Sequence, residues 1–170
     1  MNLFETPRLL ARQLTPMDVE SMYSIYGDPV ITRWMGDGSS LPRELCKKWI
    51  EVSIKNYETK GFGVSAVIEK ETGAFIGCCG IVYDPERQEP EIIYAFEQAS
   101  WGKGYASELI PAMLQYGLDQ CRLPYILATI NEENKASQRV VEKSGMKFVE
   151  EETEEDGHRT FVYRIEKSGK

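Results

Sequence analysis

The stretch EIIYAFEQASWGKGYASE, residues 91–108, decides the fold. Glu91 to Glu97 is rich in β-branched and aromatic residues and reads as a strand. From Lys103 or Gly104 onward, Ala106, Leu109, Ile110, Met113, Leu114 and Gly117 recur at intervals of three and four, which predicts an amphipathic helix to about Gln120. Pro111 lies inside it and has no N–H for the Ser107 carbonyl, so a bend is expected there, or a carbonyl satisfied by water or ligand. The junction between strand and helix carries Gly102 and Gly104. The first N–H groups of a helix are unpaired and sit at the positive end of its dipole, and glycine removes the Cβ that would keep a ligand off the main chain. Such a junction suits an anion, a diphosphate among them. It is not a nucleotide P-loop: no GxxxxGK[ST] occurs, and Ser107 stands where GxGxxG needs glycine. A plain structural turn is the competing reading.

Downstream, YILATI at 125–130 is a buried-type strand, and NEENKASQ is a loop entering a helix that runs to Ser144 and stops at Gly145. The chain then closes with a hairpin turning at Asp156 and Gly157. Upstream, Phe62 to Lys70 and Ala74 to Tyr83 form another hairpin around a short turn. Leu9 to Leu14 is the first expected strand. Thr15 and Pro16 read as the N-cap and first residue of a short helix to Tyr26, with Asp18 favourable in its first turn. Ser40 and Pro42 repeat that signal for a helix carrying Leu45, Trp49 and Val52 and ending before Gly61. Between the two, DPVITRWMGDGSS is a loop with a helical turn. With no repeat and no Pro-, Gly- or Ser-rich linker, residues 1–170 are expected to form one domain of mixed α/β class, antiparallel strands first and a strand-helix-strand-helix segment later.

Composition narrows the function classes. A chain that is 42% hydrophobic and 28% charged is expected to fold. A net charge of -7 and a pI near 4.9 give no basis for phosphate-driven binding to nucleic acid and fit a cationic or amine-bearing partner better. Cys46, Cys78, Cys79 and Cys121 show no metal-ligand spacing and His158 cannot complete a zinc set with them, so no metal is expected. Cys78 and Cys79 are adjacent in a strand and should face opposite ways as reduced thiols. No stretch approaches the roughly 20 apolar residues of a bilayer span, so the expectation is a cytoplasmic protein with no membrane partner. The acidic run EEETEEDGHRT at 150–160 reads as a solvated hairpin, or as an attractor of cationic ligands.

Taken together, EIIYAFEQASWGKGYASE, the later ILATINEENKASQRVVEKSGMKF and the opening TPRLLARQL resemble the GNAT superfamily of acyl-CoA-dependent N-acetyltransferases. Within it they resemble the branch that contains ribosomal-protein N-terminal acetyltransferases. The resemblance covers nearly the whole chain. It implies a three-layer fold, a central, mostly antiparallel, splayed sheet flanked by helices. It also implies direct acetyl transfer from acetyl-CoA to an amine, a peptide N-terminus or a small molecule, by a monomer or homodimer without a metal.

The resemblance assigns roles by position. The family's Q/R-x-x-G-x-G/A motif falls on Trp101, Gly102, Lys103, Gly104, Tyr105 and Ala106, with Ser107 following; these would cradle the diphosphate mainly through backbone N–H groups. Trp101 departs from the family's Gln or Arg and is expected to pack either on the cofactor or in the core. Backbone groups near Tyr94 and Phe96 would hold the pantetheine arm and polarise the acetyl carbonyl. Asn131 and Asn134 would lie along the cofactor, and Ser137 would face the thioester sulfur and assist the departing thiolate. Asn134, Lys135 and Ser137 read equally as a helix cap. Val141 fills the place of a tyrosine that many relatives use as general acid. Glu91 is the implied base, with a solvated strand-end charge as its alternative. Arg33, Trp34 and Met35 would line the acceptor pocket, although Trp34 also suits the core. A coenzyme A-binding module without catalysis is the alternative function.

Overall fold

The structure, a computed structural model, describes residues 1–169. Its strands are β1 Asn2–Glu5, β2 Leu9–Gln13, β3 Val64–Glu69, β4 Phe75–Tyr83, β5 Pro90–Phe96, β6 Tyr125–Asn131, β7 Lys147–Thr153 and β8 Arg159–Glu166. The helices are α1 Val19–Tyr26, α2 Pro29–Thr32, α3 Arg43–Lys60, α4 Tyr105–Gln115 and α5 Lys135–Lys143. All eight strands share one sheet, in the order β1-β2-β3-β4-β5-β6-β8-β7. The result is the mixed α/β, mostly antiparallel architecture expected from the sequence.

One strand pair differs in kind. The chain leaves β5, crosses through α4 and returns in β6, and a crossover connection of this sort joins parallel strands. β5 and β6 are the parallel neighbours, and they pair only at Glu91 and Leu127. By contrast β5 follows β4 from Gly77↔Phe96 to Tyr83↔Pro90, and β6 follows β8 from Tyr125↔Glu166 to Asn131↔Thr160. Each strand is thus committed to its antiparallel neighbour while the two diverge beyond Glu91. The sheet is splayed there.

Alternation along β5 fixes what faces the gap. The Glu97 N–H donates to the Ile76 carbonyl at 2.9 Å, toward β4. Main-chain polar groups switch sides at each residue of a strand, so those of Phe96, Tyr94 and Ile92 point toward β6. Side chains alternate likewise between the two faces of the sheet. Ile92 and Phe96 join the core packed on α4 and α5 with Leu109 and Val141, and Tyr94 packs against it. Ala95 joins the core packed on α1 and α3 with Met22 and Ile50, and Ile93 packs against that. Cys78 and Cys79 go to opposite cores as expected, and all four cysteines are free thiols.

Several local expectations need amendment. β1 was not anticipated, because NLFE is short and half exposed and carries no alternation. The first helix opens with one tight 3-10 turn, Pro16–Asp18, before α1. Its capping signals still act: the Asp18 carboxylate accepts the Thr15 N–H at 2.7 Å and takes both Arg12 nitrogens at 2.9 Å. α4 runs on through Pro111, and the change of helical register comes later, as a π-helical turn over Tyr116–Gln120.

Candidate active site

A cavity of about 540 Å³ fills the gap between β5 and β6 and reaches both faces of the sheet. Glu91 to Phe96 form its middle wall. Ala106, Ser137 and Val140 line it on the α4–α5 side, and Tyr26, Trp34 and Trp49 on the α1–α3 side. The volume lies within the range of small-molecule sites, roughly 300–1,000 Å³.

Glu91 opens β5 with its side chain on the α1–α3 face. Its Oε2 accepts the Thr129 hydroxyl from β6 at 3.1 Å. Burial raises its carboxyl to about 7; Thr129 pulls it down, the charge of Asp84 pushes it up, and Arg87 pulls it down. Arg87 is itself engaged with Glu152 on β7, so it does not form a close ion pair with Glu91. A carboxyl poised near neutrality can accept a proton at physiological pH.

Two hydroxyls meet on the opposite face. Tyr94, two residues after Ile92 on the same side of β5, places its phenol against Ser137 Oγ in a hydrogen bond. Burial raises the Tyr94 phenol and the Ser137 contact lowers it. Ser137 sits in the first turn of α5, whose N-cap is Asn134; the Asn134 side chain accepts the Ser137 N–H at 3.3 Å. The capping reading of NKAS therefore holds, and Asn134 and Ser137 line the cavity as well. Val141 is fully buried behind them.

At the junction, Gly102 and Gly104 have φ of 76° and 78°, the left-handed region that glycine tolerates. A Cβ at Gly102 would meet nothing within 4 Å, and at Gly104 only Arg8 Nη2 at 3.6 Å, so the main chain is open to close approach. Arg8 braces the loop from the bend just before β2: it donates to the Lys103 carbonyl at 2.9 Å and lies 4.5 Å from the Tyr105 ring centroid. Trp101 does not pack into the core. It is 48% exposed on the cavity rim and its Nε1 donates to the Phe96 carbonyl at 2.9 Å. The indole ring can reach that carbonyl because it faces the gap; the Tyr94 and Phe96 N–H groups, on the same side, have no strand partner beyond the Glu91–Leu127 pair.

The remaining expected residues divide by position. Glu91, Tyr94, Phe96, Trp101, Ala106, Asn134, Ser137, Trp34 and Met35 meet on the cavity wall. Gly102, Lys103, Gly104 and Ser107 lie beside it on the exposed junction. Tyr105 is buried and turned away, its hydroxyl bonded to Glu69. Asn131 shapes its own loop by accepting the Glu133 N–H at 2.9 Å. Arg33 stands outside the wall, its guanidinium 4.7 Å from the Trp34 ring centroid. Among the described residues no group of three or more His, Cys, Asp or Glu side chains could hold a metal, and no helix is long and apolar enough to cross a membrane.

The sequence leaves the Tyr94 hydroxyl without an assigned task and gives no sign of Thr129 or of the aromatic wall of Tyr26 and Trp49. The period-two pattern of Ile92, Tyr94 and Phe96 carried the first signal, since it puts the phenol on the side of α5. The rings of Tyr26 and Trp49 lie edge to face at 5.6 Å, a long-range contact with no local sequence mark.

A sheet splayed between its one parallel pair, a glycine junction leading into a helix and a capped helix facing the gap define a GNAT-type fold. The chain belongs to the acetyltransferase (GNAT) domain family, matched over residues 8–147. It is similar to protein YkkB of Bacillus subtilis (strain 168), 36% identical over an alignment of 151 positions that covers 84% of each chain. Among solved structures it is similar to an acetyltransferase (GNAT family) from Bacillus anthracis, with a TM-score of 0.80, 26% identity and coverage of 98% of this chain and 99% of that one. It shares its fold, at 13% identity, a TM-score of 0.80 and 98% coverage of each chain, with RimL, a ribosomal L7/L12 α-N-protein acetyltransferase, in complex with coenzyme A.

Proposed function

We propose that the chain acts as a single-domain N-acetyltransferase that takes its acetyl group from acetyl-CoA and passes it directly to an amine. The observation that carries this reading is the division of chemistry across the gap: a carboxyl near neutrality on one face, Glu91, and a paired hydroxyl set on the other, Tyr94 and Ser137. The open glycine junction, the strand N–H groups facing the gap and the cavity fit acetyl-CoA, which supplies the activated acyl group when bound.

Each residue then has a task. The N–H groups of Gly102 to Ser107 at the start of α4 hold the diphosphate. The Tyr94 and Phe96 N–H groups, fixed before the reaction, donate to the pantetheine amide and to the acyl carbonyl oxygen, where negative charge develops. Glu91 accepts the proton that the attacking amine must lose, directly or through one water. Ser137, backed by Tyr94, donates toward the sulfur that leaves with the electron pair of the broken C–S bond.

Incubation with acetyl-CoA and an amine panel is expected to release free thiol in step with N-acetylated amine. Tight coenzyme A binding with no amine-dependent release would favour a non-catalytic binding module. Gly104→Val is expected to weaken coenzyme A binding by about tenfold or more, since a branched side chain is strained at φ of 78° and stands over the junction. Calorimetry giving unaltered affinity would remove the junction from the cofactor site.

A further inference from the structure

The wall of the cavity on the α1–α3 side has a distinct chemistry. Tyr26, Trp34 and Trp49 present aromatic surface, with Met35, Leu41 and Ile93 completing it. The charged lining residues are Glu91 and Asp37, and no Lys, Arg or His belongs to the lining. Asp37 is exposed at the loop and held as a carboxylate by the Ser39 N–H at 2.9 Å. The Thr32 hydroxyl on this side already donates to the Gly38 carbonyl at 3.3 Å, so it has no proton left for a ligand. Asp28 ties the segment to the cofactor junction, taking the Gln98 amide at 2.6 Å while capping α2.

An ammonium group entering here meets the Asp37 carboxylate, the Glu91 carboxyl and aromatic rings, which attract a cation, although the Arg33 guanidinium already lies 4.7 Å from the Trp34 ring centroid. Most of this wall is ring and aliphatic surface, so a heavily hydroxylated or many-armed amine would lose water with few partners beyond the two carboxyls and the Tyr26 hydroxyl, which is buried without a hydrogen-bond partner; burying the remaining polar groups unpaired is costly. The cavity must also admit the end of the pantetheine arm, so the space left for the acceptor is compact.

Resting on the transferase reading above, we infer that the acceptor is a primary amine carried on a compact, ring-bearing apolar body, bound between Trp34 and Trp49 with its nitrogen toward Glu91. A free arylalkylamine and a peptide beginning with an aromatic residue present the same chemistry.

The test measures kcat/KM by thiol release for 2-phenylethylamine, a Phe-initiated tetrapeptide, a Ser-initiated tetrapeptide, spermidine and kanamycin. It adds a tryptophan-fluorescence titration with 2-phenylethylamine in the absence of acetyl-CoA. One of the two ring-bearing acceptors is expected to exceed the other three by at least about tenfold, and which of the two leads identifies the source. Trp34→Ala is expected to raise KM for the preferred acceptor by about tenfold with kcat nearly unchanged. Trp49→Phe, which keeps a ring against Tyr26, is expected to do so more weakly. A preference for spermidine, kanamycin or the Ser-initiated peptide, or rates within about threefold across the panel, would overturn this inference and leave the transferase reading standing. Absence of release with every amine would overturn both, and the binding titration would show whether the ring site exists apart from catalysis.

Discussion

Glu91→Gln is expected to lower kcat by on the order of 100-fold while leaving coenzyme A affinity within about twofold, because the amide keeps the shape of the side chain but cannot accept a proton. The pH profile adds a stricter requirement. With its carboxyl raised to about 7, the base is available only above neutrality, so kcat/KM of the parent should climb through about pH 7. Deprotonation of the free amine adds a second rise at higher pH, and only the lower one should vanish in the variant. Unchanged turnover, or a limb near pH 7 that persists, would remove Glu91 from the mechanism.

The same carboxyl makes a prediction about stability with the opposite preference. Its folded-state value lies above the unfolded one of 4.5, so the folded protein binds this proton more tightly. The contribution is fully present below about pH 4.5 and is lost as pH rises through about 7. The full difference is about 3 kcal/mol at pH 8. Glu91→Gln carries no charge to bury, so its thermal midpoint relative to the parent should rise from pH 5 to pH 8. A functional carboxyl that costs stability at working pH is the pattern expected of a catalytic group.

The second large effect concerns the hydroxyl pair. Ser137→Ala and Tyr94→Phe are each expected to lower kcat by on the order of 10- to 100-fold, toward the lower end of general-acid effects because a thiolate is a tolerable leaving group. Since the two hydroxyls share one hydrogen bond, they should act as a unit, and the double variant should be little worse than either single one. Multiplicative losses would show independent roles. Retained activity in Tyr94→Phe, with loss in Ser137→Ala, would leave the serine alone beside the sulfur. Val141 bears on this point: it is apolar and fully buried, at the place where the family resemblance implies a tyrosine, and Tyr94 brings a phenol to the same gap from the strand.

The fold was legible because its decisive features are local. Glycines at 102 and 104, the strand before them and the periodic helix after them state a strand-junction-helix unit within one short stretch, and the capped helix at Asn134 states a second. The splay was implied by family resemblance, and its physical cause, the commitment of β5 to β4 and of β6 to β8, becomes visible only in the register. For Trp101 the sequence leaves core and cofactor open, and only the structure shows the Phe96 carbonyl facing the gap that takes its N–H and holds the ring at the rim. Asn131 and Tyr105 show the converse: they lie within motifs, yet their side chains serve the loop and Glu69. Tyr26 and Trp49 come from separate helices, and nothing in either segment announces that the two rings meet on one wall.

Acetyl transfer in the gap between β5 and β6 requires the sulfur on the α5 side and the amine on the other. A crystal structure of the complex with coenzyme A tests it most directly. The diphosphate is expected on the N–H groups of Gly102 to Ser107, the pantetheine arm along Tyr94 and Phe96, and the sulfur within hydrogen-bonding reach of Ser137. Coenzyme A bound outside this gap, or with its sulfur on the Glu91 side, would contradict it.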